Sequence, residues 1–212
     1  LSLTLETICE PLGLTPTPAQ AAALLQYLDL LQRWNATYNL TAVREPAEML
    51  SQHLADCLAV IPSLRRQLDH GRLLDVGSGG GLPGVVIAVM LPGIAVSCVD
   101  TVGKKAAFIR QAAGTLRLNN LQALHARVEQ LQQPAFDVIT SRAFASLADF
   151  TALTRRHLSE GAVWMAMKGR VPDDEITALP PGIEVFHVEP LSVPGLDAQR
   201  CLVWMRAAHG GG

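Results

Sequence analysis

Apolar positions along the first third of the chain follow a helical rhythm. Ala22, Leu25, Leu28, Leu31 and Trp34 recur at three-residue steps, with Leu24 widening the stripe, as on one face of an amphipathic helix. Pro16 and Pro18 limit this helix at the front, and Asn35-Ala36-Thr37 loosens it at the back. A second helix begins near Glu45-Pro46, with proline suited to a first turn. It carries Met49, His53, Leu54, Cys57, Leu58 and Ile61 on one side and runs up to Pro62. After about Arg72 short apolar runs alternate with helical stretches. Residues 73–76, 94–99, 121–124, 136–140 and 163–167 read as strands, with helices over 83–91, 104–116, 128–131 and 147–157 between them. Such alternation specifies a parallel sheet covered on both faces. Two late strands, 183–188 and 200–205, have no clear helix between them and predict an antiparallel hairpin on one sheet edge.

Composition narrows this picture. Of 212 residues, 49% are apolar and 17% charged, which is globular rather than disordered. The length supports one compact domain, divided here into a helical extension over 1–67 and a core over 68–209, and we expect a monomer. The longest apolar stretches, such as 82–91, span about ten residues, short of the roughly 20 that cross a bilayer. No basic-then-apolar leader is visible, so no membrane partner and a cytoplasmic location are expected. Cys9, Cys57, Cys98 and Cys201 are scattered, without a CxxC pair. They read as buried thiols rather than as a metal site or a disulfide framework. The net charge of −2 counts against a nucleic-acid partner in bulk, but leaves room for a local basic face. Gly210-Gly211-Gly212 reads as a tail.

The candidate chemistry lies in the turn after the first strand, where five glycines fall within residues 77–84. A strand entering a glycine turn and then a helix brings backbone close to a ligand at the carboxyl end of a sheet, and glycine tolerates the positive φ such turns need. Gly79-Gly80-Gly81-Leu82-Pro83-Gly84 satisfies the dinucleotide pattern G-x-G-x-x-G. Its register is wrong for that, because Gly77-Ser78 intervene after the strand; counted from Gly77, the third glycine position holds Leu82. Asp75-Val76-Gly77-Ser78-Gly79 instead resembles the first motif of class I methyltransferases, whose loop wraps the methionine and ribose parts of S-adenosylmethionine. Asp100 ends the next strand, where it can accept from ribose hydroxyls, although a strand-end aspartate also serves as a cap or turn former.

The acceptor is constrained by what is missing. Pyrimidine C5 chemistry needs a cysteine nucleophile, and exocyclic amine methylation commonly resembles an Asn/Asp-Pro-Pro-aromatic loop after the fourth strand. Here Thr140-Ser141-Arg142-Ala143-Phe144 stands in that place. Guanine N7 offers a lone pair and no proton, so it needs no general base.

An ordered set of segments then adds a family resemblance. Trp34-Asn35, Asn39-Leu40-Thr41, Arg44 and His53-Leu54-Ala55-Asp56-Cys57-Leu58 come first. The loop 75–84, Arg127-Val128-Glu129, residues 141–147, Lys168-Gly169 and Arg200 follow. Together the chain resembles the bacterial 16S ribosomal RNA (guanine-N7) methyltransferase G family, also called glucose-inhibited division protein B. The resemblance implies a Rossmann-like class I methyltransferase, a three-layer α/β sandwich with an N-terminal helical extension. It implies S-adenosylmethionine as cofactor, 16S rRNA in the 30S subunit as partner, and N7 methylation of one guanine in the 530 loop. Gly77, Leu82, Val128, Glu129 and Arg142 match family positions that contact the cofactor. Gly79 and Asp100 join them from the loop reading. Cys57 stands where the family commonly has serine.

Arg142, Lys168 and His53 are the candidate catalytic residues, Arg142 also facing the cofactor. For Lys168 a phosphate or base contact competes with a solvated lysine, and for His53 a site role competes with a satisfied core histidine. Asn39 and Arg44 orient either RNA or the second helix. Lys104 and Lys105, with Arg110 and Arg117, form the candidate basic face, and Lys168 and Arg200 complete the candidate RNA contacts. Trp34 continues the apolar stripe and reads as core. Two other readings stay open: a methyltransferase acting on a protein, small molecule or other RNA, and a ribosome-binding module without activity.

Overall fold

The computed structural model describes residues 3–144 and 146–208. Ala145, residue 209 and the Gly210-to-Gly212 tail lie outside the described residues. The first long helix, α2 (Pro18–Tyr38), follows a short α1 (Leu5–Cys9) that is closed by a capping box between Thr4 and Thr7. A helix as short as α1 carries too few turns to show a period. Thr17 and Gln20 make a second capping box at the start of α2, with Pro18 in its first turn. At its end α2 runs past the expected loosening at residues 35–37. Asn35 is buried and turned inward, accepting from Thr41 N (2.8 Å) and donating to Val43 O (3.0 Å). Asn39, at φ 50°, closes the helix in the left-handed region that asparagine tolerates.

The second helix is interrupted. α3 (Pro46–Met49) gives way to a π-helical turn (Leu50–Ala55), then α4 (Asp56–Leu58) and α5 (Ile61–Gln67). Periodicity read it as one α-helix because a single wide turn shifts the apolar face by only one residue.

The core alternates β1 (Gly71–Val76), α6 (Gly84–Met90), β2 (Ile94–Asp100), α7 (Gly103–Thr115), β3 (Leu121–His125), β4 (Phe136–Arg142), α8 (Leu147–Thr154) and β5 (Leu158–Lys168). Then come α9 (Asp173–Thr177), β6 (Ile183–Leu191) and β7 (Arg200–Ala207). The sheet order is β3-β2-β1-β4-β5-β7-β6. β1 to β5 run parallel to one another, and β7 runs antiparallel to both β5 and β6, which makes the expected edge hairpin. The expected helix at 128–131 is only a 3-10 turn, Val128–Gln130.

Period-two alternation sends neighbouring side chains into two separate cores. Leu73, Val138, Met165 and Leu202 face one side, where Leu24, Leu31, Leu54, Ile87 and Phe108 from the helices meet them. Leu74, Ile139, Trp164 and Val203 face the other, against Leu147 and Phe150. The N-terminal helices thus share one apolar cluster with α6 and α7. No helix among the described residues is long and apolar enough to cross a membrane.

The glycine turn divides by function. Gly77 and Gly79 have φ of 68° and 57°, and a Cβ on Gly77 would meet no atom within 4 Å. Gly80, Gly81 and Gly84 instead lie against the protein: a Cβ on Gly84 would come within 2.3 Å of Cys98 Sγ and 2.8 Å of Asp75 Oδ2. Asp75 is wholly buried under the turn and accepts from Gly84 N (2.8 Å), while its Oδ1 has no hydrogen-bond partner among the described residues. Tyr27 Oη donates to Gly80 O (2.6 Å), tying α2 to the turn. Burial, opposed by the Gly84 N–H and by Arg142, pushes the Asp75 carboxyl up to about 7.

Two outcomes follow from this packing. Gly84→Ala lowers stability by about 1–3 kcal/mol, the usual cost of overpacking, read as a shifted denaturant midpoint at constant slope. The Asp75 proton is held more tightly in the folded chain than at the ordinary aspartate value of about 3.9. Stability is therefore lost as pH rises through about 7. Thermal midpoints at pH 5.5 and 8 should show this fall in the parent protein and a smaller one in Asp75→Asn.

Candidate active site

Carboxyl ends of parallel strands are where α/β sheets bind ligands, at the point where strand order reverses. Here that point lies between β1 and β4, and two cavities open around it. The first, about 410 Å³, follows the ends of β1, β2 and β3 and is lined by Gly77, Asp100, Val102, Val128, Glu129 and Phe144, among others. The bare backbone at Gly77, open where a Cβ would project, is a cradle for a ligand that approaches the main chain. Asp100 spends one interaction of each oxygen on the protein: Oδ2 accepts from Gly79 N and Oδ1 from Val102 N, both at 2.9 Å. Both sequence roles of Asp100 are thereby compatible, since a carboxylate has about four lone-pair sites and a lone pair on each oxygen stays available to ribose hydroxyls. Val128 O is already taken by His157 Nε2 (2.7 Å), which steadies the wall beside Glu129. The residues present therefore fit a nucleoside-bearing cofactor.

Gly79, Leu82 and Arg142, also expected at the cofactor, do not line this cavity; Arg142 lines the second one. Leu82 is buried in the helix-side core, and its N–H donates to Ser78 O (3.0 Å). Lys105 does line it, a placement that the basic-face reading did not anticipate.

The second cavity, also about 410 Å³, adjoins the ends of β4 and β5 and the start of β7. Its lining includes Gln52, His53, Asp56, Arg142, Lys168 and Arg200. The π-helical turn and the first residue of α4 supply the partners for Arg142. Nη1 donates to Gln52 O (3.1 Å) and to Asp56 Oδ2 (3.3 Å), and Nη2 meets His53 Nδ1 at 3.3 Å. An arginine only donates, so Nδ1 is the acceptor and the His53 proton resides on Nε2, which faces Thr41 Oγ1 at 2.7 Å. Burial, then the Arg142 charge, lowers the His53 pKa to about 4. Asp56 Oδ1 accepts from Arg200 Nε (2.9 Å). Lys168 Nζ is held by both oxygens of Glu175, at 3.1 and 2.8 Å.

The structure thus gathers His53, Arg142, Lys168 and Arg200 at one place and leaves the other candidates apart. Arg44 Nη2 donates to Asn39 Oδ1 (2.8 Å), so these two brace the loop after α2. Lys104 Nζ lies 5.3 Å from the Tyr38 ring centre, and at about 100° per residue Lys104, Lys105 and Arg110 point in different directions from α7. Trp34 packs edge-on against Phe108 (5.5 Å) and is partly buried in the core. Asp56, Gln52 and Glu175 were not singled out as site residues. For Asp56 the signal was its three-residue spacing from His53, which places both on one helical face. Neither a backbone carbonyl such as Gln52 O nor a remote partner such as Glu175 leaves a sequence signal. A larger apolar groove, about 1070 Å³, lies among α1, α2 and Leu50, and no cation lines it.

Comparison with known proteins agrees with this geometry. The family model described as rRNA small subunit methyltransferase G (GidB) matches residues 20–203. A ribosomal RNA small subunit methyltransferase G from Methylibium petroleiphilum is 64% identical over 203 residues, covering 95% of this chain and 92% of that protein. One from Leptothrix cholodnii is 62% identical over 199 residues, covering 93% and 91%. Among solved structures, TrmN from Thermus thermophilus aligns with a TM-score of 0.56 at 22% identity, over 75% of this chain and 53% of that one. A SAM-dependent methyltransferase from Aquifex aeolicus aligns with a TM-score of 0.55 at 17% identity, over 76% and 93%. At these identities the likeness to solved structures is one of fold, the class I methyltransferase sandwich. By the match over residues 20–203 and by its relatives, the chain belongs to the rRNA small subunit methyltransferase G family.

Proposed function

We propose that the protein methylates N7 of a guanine in the 530 loop of 16S rRNA, within the 30S subunit, as a cytoplasmic monomer. The observation that carries the N7 reading is the commitment of every titratable acceptor beside the second cavity. Asp56 uses one oxygen for each of two arginines, His53 Nδ1 faces Arg142, and Glu175 holds Lys168. Among the described residues no side chain there is poised to take a proton, and N7 has none to give.

Gly77 backbone, Asp100, and the Val128–Glu129 wall would hold S-adenosylmethionine in the first cavity. When bound, S-adenosylmethionine supplies a methyl group on a positively charged sulfur. The chain then has one task, which is to align the acceptor lone pair with that methyl and exclude other geometries. Arg142, at the end of β4 between the two cavities, is the residue we assign to that alignment. His53 acts through Arg142 as a positioning residue, not as a base. Gly79 contributes through its bond to Asp100 and Leu82 through the packing of the turn. In this reading the helical extension, residues 1–67, lends Gln52, His53 and Asp56 to one wall of the second cavity, and residues 68–209 form the cofactor-binding core.

Borohydride and aniline treatment of 16S rRNA from cells lacking the protein should abolish cleavage at the 530-loop guanine. Restoring the parent chain should restore it, and restoring Gly77→Asp, which fills the cradle, should not. Cleavage that persists in the deleted strain sinks the assignment. Single-turnover methylation should also show no limb near pH 6.5, the ordinary histidine range, because His53 is neutral above about 4. A limb there that disappears in His53→Gln would reassign His53 as the base.

A further inference from the structure

Sheet register puts three cations in a row. Arg142 on β4 is level with Met167 on β5, and the next residue, Lys168, is level with Cys201 of β7, beside Arg200. Neighbouring strands are about 4.8 Å apart, so the backbones bearing these three cations span about 10 Å across the sheet edge. All three line the second cavity. Within a chain of net charge −2, three cations and one carboxylate line this cavity, with Glu175 pairing Lys168 from outside the lining.

The donors are held in place but not used up. Arg200 donates from Nε to Asp56 and from Nη1 to Gln199 O (2.8 Å), and its Nη2 has no hydrogen bond among the described residues. Arg142 is fixed through Nη1 and Nη2, and its Nε has none. The acceptors around them, Asp56, Gln52 O and His53 Nδ1, are already committed to arginines. A guanine seated here would bring its N1–H and N2–H donors up against three cations, beside one lining carboxylate, Asp56, that already pairs with two of them. Burying such donors unpaired is costly. A phosphodiester brings acceptors alone, and arginine forks suit them.

We infer that the cavity between the π-helical turn and the ends of β4, β5 and β7 is a seat for an RNA backbone phosphate. Arg200 is its principal donor, and the acceptor base lies outside the seat, towards the first cavity. This inference rests on the rRNA reading above. Asp56 is the positioning residue that holds Arg142 and Arg200 at the spacing the phosphate needs.

The test is the salt dependence of equilibrium binding to 30S subunits that lack the methyl group. Neutralising one phosphate contact lowers the slope of log affinity against log salt by about 0.7 to 0.9. Arg200→Gln should therefore flatten the slope by that amount, with S-adenosylmethionine binding unchanged by calorimetry. Arg200→Lys, which keeps the charge, should preserve the slope. A parent-like slope in Arg200→Gln would overturn the inference. If Arg200→Gln fails to bind S-adenosylmethionine, Lys168→Gln decides by the same slope criterion. If the parent chain transfers no methyl to 30S subunits, the rRNA reading falls, and this inference with it. A methylated particle with unaltered slopes sinks the phosphate seat alone.

Discussion

Asp56 occupies a position where a carboxylate is almost fully removed from water, and two arginines from distant strands, β4 and β7, converge on it. Burying such a charge costs several kcal/mol unless its partners are well placed, so the three side chains constrain one another. The constraint reaches outward in both directions. On one side it holds the π-helical turn, with His53 and the Gln52 carbonyl, against the end of β4. On the other it holds the start of β7 beside β5. Asn35, Thr41 and His53 extend the same chain of hydrogen bonds back into α2. The helical extension is thereby made part of the site instead of a cover over it.

Within that frame the reversal of strand order divides the labour. Around the ends of β1, β2 and β3 the lining offers the Gly77 backbone and the carboxylates of Asp100 and Glu129, acceptors that suit a nucleoside's hydroxyls. Strands β4, β5 and β7 present cations, the chemistry that suits a nucleic-acid backbone. Arg142 stands between the two halves. Its guanidinium is held by three partners, so its position is set before any ligand arrives.

The glycine turn is the part of the site most legible in the chain, and it was legible for two physical reasons that the fold separates. Gly77 and Gly79 answer to positive φ, with open space beside Gly77. Gly84 answers to packing against Cys98 and Asp75, and Gly81 to both, with a φ of 87° and Val85 against the place of its missing Cβ. A pattern of glycines does not record which reason applies to which residue, and this is why the dinucleotide-like hexamer over residues 79–84 could arise inside a different loop. Likewise, Lys104 and Lys105 look alike in a run of basic residues, yet one lies over Tyr38 and the other lines the first cavity.

Sequence by itself determined the alternation of strands and helices, the register of the glycine turn counted from Gly77, and the edge hairpin. Each of these is written in a few consecutive residues, where periodicity and turn chemistry act locally. It also supplied the family resemblance, through the order of short segments. The tertiary structure alone decided that Asp56 would face arginines 86 and 144 residues away, that His53 would be a neutral acceptor, and that Glu175 would hold Lys168. Those pairings depend on strand order and on a π-helical turn that offsets one helix face by a residue. No local pattern encodes distances between segments that only the sheet brings together.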